Sequence, residues 1–172
     1  MTLTFALADI PSDESVSLPM SIQLRPYQPE DATAFRELNE AWITKYFGLE
    51  EHDREMLGDP DGYVIQQGGH IFLAFVEGRA IGCCALIAIK PGVFEVAKMA
   101  VDERYHGRGV GRKVLVYTIE KARALGATLL YLETNHKLAN AIHLYESLGF
   151  QHLPPKQSPY VRADVFMELR LV

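Results

Sequence analysis

The sequence predicts an α/β (α+β) fold of one domain, in which a mixed, mostly antiparallel sheet of about six or seven strands is flanked by helices. Three strand patterns follow one another between residues 71 and 101 and are separated by short turns, which is typical of an antiparallel meander. Helical and strand periods then alternate to the end of the chain, and such alternation adds helix-covered strands to a sheet. The 172 residues, 48% hydrophobic and 23% charged, are enough for one globular domain.

The first part of the chain is predicted to contain a leader, a strand and two helices. Residues 1–19 combine prolines and serines without a sustained hydrophobic period, so we expect a flexible leader and a domain that spans residues 20–172. A short strand is expected at residues 21–25. Pro29 and the two acids after it favour the start of a helix. A second short helix is expected at residues 50–57.

The remaining elements follow from the period of the apolar residues and from glycine and proline at the turns. Runs of period two predict strands, whereas apolar residues three and four apart predict helices. The turn between the first two strands of the meander is assigned to Gly78 and Arg79. The predicted strands are residues 71–76, 80–89, 93–101 and 128–133 with two short ones after residue 150, and the predicted helices are residues 109–125 and 137–148.

Composition and charge exclude several classes of protein. A net charge of −5, from 17 basic and 22 acidic residues, argues against a dedicated nucleic-acid binder. No apolar run reaches the ~20 residues of a membrane-spanning helix, and the N-terminus lacks the basic region of a secretory signal. Cys83 and Cys84 are adjacent in a predicted strand, so their side chains point to opposite faces and form no ordinary disulfide. We therefore expect a reduced, cytoplasmic protein without a membrane or nucleic-acid partner.

The segment from Val101 to Arg112 combines a strand end, a basic loop, three alternating glycines and a helix start. The first N–H groups of a helix have no partner within the helix and carry a partial positive charge. Glycines let a phosphate approach that backbone, so this arrangement predicts a pyrophosphate site. From Asp102 to Lys113, four bases exceed two acids, which adds a positive field. The alternative is a tight connection that uses glycine only for its backbone freedom.

Two nucleotide-binding motifs compete for the same glycines. A P-loop ends in Gly-Lys followed by Ser or Thr, whereas residues 111–114 are Gly-Arg-Lys-Val. A dinucleotide fold needs Gly-x-Gly-x-x-Gly directly after the strand, whereas the glycines here come later and are evenly spaced. Glu133 does lie where such a fold has its ribose-binding acid, so a nucleotide-binding domain that uses Gly107 to Gly111 stays an alternative.

A second motif follows the next predicted strand. Residues 141–150 are Ala-Ile-His-Leu-Tyr-Glu-Ser-Leu-Gly-Phe and end the last predicted helix. With the glycine-rich segment, they resemble the GCN5-related N-acetyltransferase (GNAT) superfamily. Its signatures Gln/Arg-x-x-Gly-x-Gly/Ala and Ala-x-x-Leu-Tyr-x-x-x-Gly-Phe fall on residues 106–111 and 141–150, with His106 in place of the usual Gln or Arg. In element order, the resemblance covers roughly residues 22–172.

The resemblance implies a sheet splayed between its fourth and fifth strands and an N-acetyltransferase (an acyltransferase) that moves an acetyl group from acetyl-CoA to a primary amine. Acetyl-CoA is then a co-substrate, and no metal is expected, since the histidines show no metal-ligand spacing. The backbone that would pair with the pantetheine arm at the splayed strand end belongs to Met99, Ala100 and Val101. The backbone that would bind the pyrophosphate belongs to Arg108, Gly109, Val110, Gly111 and Arg112.

Side chains near the expected cofactor are further candidates. Arg104, Arg108 and Arg112 are each candidates for a contact with a phosphate. Asn135 and Asn140 precede or begin the last predicted helix. They either bind the pantetheine or cap that helix, and Asn is a common residue at a helix start.

The resemblance also points to two catalytic candidates. Tyr145 falls on the family position of the general acid, where a phenol with a pKa near ~10 stays protonated and can donate to the leaving thiolate. Its alternative role is an aromatic residue on the core face of the helix. Glu95 corresponds to a position that often holds the base, acting directly or through water. By alternation we expect Glu95 to share a face with Met99 and Val101; its alternative role is a solvated or ion-paired strand residue.

The sequence leaves open which amine is the acceptor and whether the protein is an enzyme or a binding module. A small molecule, an amino acid and a peptide or protein amine all fit the resemblance. The family selects acceptors with its N-terminal helices and late loops, here residues 41–69 and 154–160. The sequence also leaves open whether the protein forms a homodimer. The alternative from another class is a catalytically idle acyl-CoA-binding sensor, against which the presence of both Glu95 and Tyr145 argues.

Overall fold

A computed structural model describes residues 19–171, which form a seven-stranded sheet with helices on both faces. The predicted leader, residues 1–19, lies outside the described residues apart from Pro19. The strands are β1 (Gln23–Pro26), β2 (His70–Val76), β3 (Arg79–Lys90), β4 (Val93–Val101), β5 (Leu129–Thr134), β6 (Gln151–Leu153) and β7 (Val165–Arg170). The helices are α1 (Ala32–Tyr46), α2 (Glu51–Gly58), α3 (Val110–Ala124) and α4 (Ala139–Ser147), with short helical turns at Pro29–Asp31, Asp61–Ile65 and Glu103–Tyr105.

The sheet is mixed and mostly antiparallel, as predicted. Its strand order is β1-β2-β3-β4-β5-β7-β6, and β4 with β5 is its parallel pair. The hairpin between β2 and β3 turns one residue earlier than predicted, at Glu77 and Gly78. Both residues have positive φ, 50° and 75°. Positive φ at both central positions matches the right-handed twist of a hairpin, so Arg79 already belongs to β3.

Two hydrophobic cores cover the two faces of the sheet. On the first face, α3 and α4 pack residues such as Val114, Ile119 and Tyr145 against the strands. On the second face, α1 and α2 contribute Phe35 and Leu57, among others. We call these the α3/α4 face and the α1/α2 face. The adjacent Cys83 and Cys84 are both buried free thiols, one in the second core and one in the first. In residues 19–171, no helix is long and apolar enough to cross a membrane.

The sheet is splayed between β4 and β5. The two strands pair at Val93 with Leu129, at Phe94 with Leu130 and at Glu95 with Tyr131. β4 continues to Val101, so its second half has lost β5 as a neighbour. A gap lined by backbone therefore opens in the middle of the sheet, as the resemblance implied.

A bulge reverses the faces of β4 just after the splay. Cys83 and Ala85 of β3 are two residues apart, whereas their partners Ala100 and Ala97 in β4 are three apart. The extra residue is accommodated at Lys98, whose φ of 50° is left-handed. As a result, Met99 and Val101 pack on the α3/α4 face, while Glu95 lies opposite Ile87, which packs on the α1/α2 face. The expectation that Glu95 shares a face with Met99 and Val101 is therefore wrong.

Candidate active site

A cleft of about 570 Å³ opens where β4 and β5 separate. Its walls are the C-terminal end of α1, the second half of β4, the starts of α3 and α4, and the residues Tyr160, Arg162 and Ala163. It is lined by most of the site residues predicted from the sequence: Glu95, Met99, Ala100, Val101, Gly109, Val110, Gly111, Arg112, Asn135, Asn140 and Tyr145. Arg104 and Arg108 are not among the lining residues.

The start of α3 lines the cleft. Gly107 and Gly109 have φ of 73° and 76°, a conformation that L side chains rarely adopt, and α3 begins directly after them at Val110. The N–H groups of the first turn have no acceptor within the helix. They are therefore available to an anion in the cleft, with the favourable end of the helix dipole behind them.

The three candidate arginines differ in what they contact. Arg112 lines the cleft and donates from Nη2 to Ser147 Oγ at 2.8 Å. The Arg104 guanidinium instead pairs with Asp102, at 3.0 Å from Nε and 2.5 Å from Nη2. Arg108 lies with its guanidinium carbon 5.6 Å from the centre of the Tyr105 ring. Of the three, Arg112 is therefore the arginine that the fold directs to the cleft.

His106, which replaces the usual Gln or Arg of the first signature, also lines the cleft. Its Nε2 lies 2.9 Å from the carbonyl oxygen of Val101. Because a carbonyl oxygen can only accept, His106 Nε2 is the donor. The side chain thus ties the loop before α3 to the end of β4.

The two asparagines have different surroundings. Asn135 is buried, and its Oδ1 accepts from the Lys137 N–H at 2.9 Å while its Nδ2 donates to the Arg162 carbonyl at 2.7 Å. These bonds organise the turn before α4, but Asn135 does not cap that helix, whose N-cap residue is Leu138 and which has no side-chain cap. Asn140 lies exposed in the first turn of α4, on the wall of the cleft.

Tyr145 lies on the α3/α4 face, near the splayed end of β4. Its ring packs edge-on against Phe150 at 5.8 Å between ring centres. Its hydroxyl points toward Met99, with Oη 4.0 Å from Sδ. Burial raises the pKa of Tyr145 well above its ordinary value of 10.0. The phenol is therefore a proton donor at every physiological pH.

Glu95 lies where the splay begins, because it is the last residue of β4 that pairs with β5. The pKa of its carboxyl is raised from 4.5 to about 7, chiefly by burial and also by the carboxylate of Glu133, while Lys98 and Lys156 oppose the shift. Glu133 Oε1 accepts from Tyr131 Oη at 2.9 Å, and Glu133 Oε2 accepts from Ser158. Near neutral pH, Glu95 is thus able to accept and release a proton.

The two catalytic candidates lie on opposite faces of the sheet but line the same cleft. Tyr145 belongs to the core under α3 and α4, and Glu95 faces the side of α1 and α2. The cleft therefore passes through the sheet at the splay. A ligand that enters from the α3 start and a second ligand that enters beside α1 would meet between β4 and β5.

The predicted acceptor regions contribute part of the second entrance. Trp42, Tyr46 and Phe47 at the end of α1 line the cleft. The late loop, residues 154–164 between β6 and β7, also contributes, but its lining residues are Tyr160, Arg162 and Ala163, so the contribution extends beyond the predicted limit at residue 160. The sequence interpretation did not select Lys98 and Arg162 as site residues. A lysine within an apolar strand was the signal for the first of them.

Comparisons with known proteins agree with this arrangement. A sequence model described as the acetyltransferase (GNAT) family matches residues 31–150. The ribosomal protein bS18-alanine N-acetyltransferase of Escherichia coli K12 is 36% identical over 122 residues, which are 61% of this chain and 82% of that enzyme.

Solved structures show the same fold. A GNAT-family acetyltransferase from Staphylococcus aureus Mu50 superposes with a TM-score of 0.79 at 21% identity, over 88% of this chain and 100% of that one. The PaiA N-acetyltransferase of Thermoplasma acidophilum, solved in complex with coenzyme A, has a TM-score of 0.72 at 19% identity, over 88% and 100% of the two chains. Since the family model covers most of the described residues, the chain belongs to the acetyltransferase (GNAT) family.

Proposed function

We propose that this protein transfers an acetyl group from acetyl-CoA to a primary amine, by direct attack of the amine on the thioester. The observation that carries the proposal is the cleft through the splayed sheet, which joins the N-terminal end of α3 and a buried phenol to a titratable carboxylate on the opposite face. Family membership supports the reaction class, as do the alanine N-acetyltransferase activity in the name of one relative and the coenzyme A bound to a structural neighbour.

Acetyl-CoA would enter from the α3/α4 face. Its pyrophosphate would accept from the backbone at Gly109, Val110 and Gly111, with Arg112 at the same wall. The second half of β4 has lost its β5 partner, so the backbone around Met99 and Ala100 is free to pair with the amides of the pantetheine arm as an added strand would. The thioester would then lie at the end of this arm, between the strands.

The amine would enter beside α1 in its protonated form and transfer one proton to Glu95, directly or through water, which frees the lone pair of the nitrogen. The amine nitrogen attacks the thioester carbon, the oxyanion accepts from a backbone N–H near the splay, and the C–S bond breaks. The nitrogen releases its second proton to solvent, and Tyr145 protonates the leaving thiolate. Glu95 then releases the first proton to solvent and Tyr145 regains a proton from it, which completes the cycle. Their position on opposite faces keeps the two proton transfers apart, because Glu95 lies on the side where the amine would enter and Tyr145 on the side of the thioester sulfur.

A nucleotide-binding domain is less consistent with the geometry. The acid that would bind a ribose, Glu133, already accepts hydrogen bonds from Tyr131 and Ser158 and lies near Glu95 at the acceptor side. An idle acyl-CoA sensor would need neither the carboxylate with a pKa of about 7 nor the buried phenol. Both groups are expected in a transferase.

Acetyl-CoA should raise the melting temperature of the protein, because a ligand that binds only the folded state stabilises it. At roughly 100 times its Kd the gain is about 2.7 kcal/mol, which for a domain of this size is a rise in Tm of about 5–10 °C. Thermal unfolding with acetyl-CoA, NAD and ATP measures this. NAD and ATP should give little or no shift, and a large shift with NAD but none with acetyl-CoA would contradict the proposed cofactor.

Gly109→Ala should weaken acetyl-CoA binding much more than its loss of stability explains. Its φ of 76° is unfavourable for alanine by about 1–2 kcal/mol, and the new methyl group would project into the open space where the pyrophosphate must approach. Gly78→Ala is a matched control, since Gly78 has φ of 75°, equally open surroundings and no place in the cleft. Titration should show a Kd for acetyl-CoA raised roughly ten-fold, a loss of about 1.4 kcal/mol, in Gly109→Ala alone; equal Kd values would move the phosphates elsewhere.

A further inference from the structure

A buried cluster of charges lies at the acceptor side of the cleft. Asp53 of α2 is fully buried, and Lys98 of β4 is only 7% exposed. Lys98 Nζ donates to Asp53 Oδ1 at 2.6 Å, and Arg162 of the late loop donates to the two oxygens of Asp53 at 2.6 and 2.8 Å. The Glu50 N–H also donates to Asp53, at 3.0 Å. The Asp53 carboxylate thus accepts four hydrogen bonds, two of them from one guanidinium, which is the strong, bidentate form of ion pair.

The cluster joins three segments that are distant in the sequence. Lys98 also donates to Tyr160 Oη at 3.0 Å, and Arg162 Nη1 lies 3.3 Å from Glu50 Oε1. The Val161 N–H donates to Glu50 Oε2 at 3.0 Å. Polar contacts therefore fasten the late loop to α2 and to β4. Two cations, Lys98 and Arg162, face two anions, Asp53 and Glu50, so the cluster compensates its own charges.

The position of Lys98 depends on the bulge in β4. Regular alternation would turn its side chain to the same face as Val96, which packs under α3 and α4. The added residue turns it to α2 instead, at the cost of a left-handed φ of 50° in a residue other than glycine. Strain of this kind persists where the surrounding contacts hold it and is concentrated at functional sites. Here the cluster supplies those contacts.

The fastened residues are also walls of the cleft. Lys98, Tyr160 and Arg162 line it, and the Arg162 guanidinium lies 6.0 Å from the ring of Phe47, another lining residue. In its splayed half, β4 lacks β5 as lateral support. The cluster is therefore the connection that holds α2 and the late loop against the strand on which the reaction is proposed to take place.

We infer, as an extension of the proposed function, that the cluster of Asp53, Lys98 and Arg162 builds the acceptor pocket, with Lys98 as a positioning residue. Lys98 holds the late loop and α2 around the incoming amine, and it places one positive charge three residues from Glu95. The groups that face Glu95 are Glu133 and Tyr131 on β5, Lys98 on β4, and Lys156 and Tyr160 in the late loop. Among these, Lys98 is the cation on the strand of Glu95 itself.

Lys98→Met tests the inference, because it keeps an unbranched side chain only one atom shorter and removes the charge and the donors. The probe is the primary amine acetylated fastest among amino acids, amino-acid amides, diamines and short peptides, with release of free thiol as the signal. We expect the KM for this amine to rise roughly ten-fold or more, the loss of about 1.4 kcal/mol of binding, while the Kd for acetyl-CoA changes little. The acid limb of the rate profile should move to higher pH, because a nearby cation favours the charged form of Glu95.

Two further variants make the test decisive. Arg25→Met is the matched control, because it cuts a partly buried ion pair, 2.7 Å from Asp31, outside the cleft. This variant should have a lower Tm, but its KM for the amine and its Kd for acetyl-CoA should equal those of the wild type. Asp53→Asn with Lys98→Met removes opposite charges together and leaves Arg162 paired with Glu50, so it avoids an unpaired buried charge if the single variant does not fold.

The outcomes separate this inference from the function on which it rests. If the folded variant has a lower Tm but an unchanged amine KM and an unchanged acid limb, the cluster has a purely structural role and the inference is wrong. If the wild-type protein acetylates no amine although it binds acetyl-CoA, the proposed function is wrong and the inference fails with it.

Discussion

Tyr145→Phe should lower kcat by roughly two to three decades, within the range of a lost general acid. The substitution removes one oxygen and keeps the ring, so the edge-on packing against Phe150 should survive. Because the lost hydrogen bond forms only as charge develops on sulfur, kcat and kcat/KM should fall together while the affinity for acetyl-CoA stays nearly constant. Steady-state kinetics at saturating acetyl-CoA, with Kd measured separately, test both parts.

The control for Tyr145→Phe is Tyr117→Phe. Tyr117 is a partly buried tyrosine on α3 that packs edge-on against Phe72 at 5.5 Å, and it does not line the cleft. Its variant should keep the wild-type kcat. Wild-type turnover in Tyr145→Phe would reduce Tyr145 to a core residue, the alternative that its place on the packed face of α4 also allows.

The sequence predicted the parts of the fold that depend on local patterns. Strand β4 was predicted at residues 93–101, its observed bounds, because apolar residues and the turn at Pro91-Gly92 are local signals. Through the family resemblance, the two signatures predicted the splay, which the structure has, and pyrophosphate binding at the start of α3, which stays a prediction. Binding at these positions would depend mainly on backbone N–H and C=O groups. A glycine such as Gly109 indicates from the sequence where the backbone can adopt the positive φ that exposes them.

The sequence could not predict features that depend on one added residue or on distant contacts. A prediction from alternation assumes that every second residue of a strand lies on the same face, and the bulge at Lys98 breaks this rule. Glu95 was therefore wrongly placed on the face of Met99 and Val101. The pairing of Asp53 with Arg162 joins residues 109 positions apart. Arg104 was a phosphate candidate by charge, but its neighbour Asp102 pairs with it, a local contact that a count of charges does not reveal.

Glu95→Gln should abolish the part of the pH–rate profile that depends on the base. In the wild-type protein the carboxyl has a pKa of about 7, and only its deprotonated form can accept a proton from the amine. We therefore expect kcat/KM to rise with pH through about 7. In Glu95→Gln this rise should vanish, with a rate at pH 8 lower by roughly two decades, within the range of a lost general base. The remaining dependence should follow the ordinary amine pKa near ~10.

The same substitution should stabilise the protein at neutral and alkaline pH. The folded-state pKa of Glu95 is raised above the ordinary value of 4.5, so the folded protein binds its proton more tightly than the unfolded chain does. The free energy of unfolding then falls as pH rises from 4.5 to about 7, because the carboxylate must ionise in its buried position. Glutamine carries no charge, so Glu95→Gln should have a higher Tm than the wild type above pH 7. A gain in stability with a loss of activity is expected of a catalytic group and not of a surface glutamate.

Glu133→Gln distinguishes Glu95 from other groups that titrate near neutrality. Glu133 raises the pKa of Glu95 by charge repulsion, so removing its charge should move the acid limb to lower pH while the limb persists. The two variants thus have opposite signatures: one removes the limb and the other shifts it. If Glu95→Gln keeps a limb near pH 7, the proton is accepted elsewhere, and a chain of water molecules becomes the better account of how the amine is deprotonated. Rate profiles from pH 5 to 9, measured at subsaturating amine to give kcat/KM, separate these results, because kcat/KM reports the ionisation of the free protein and the free amine.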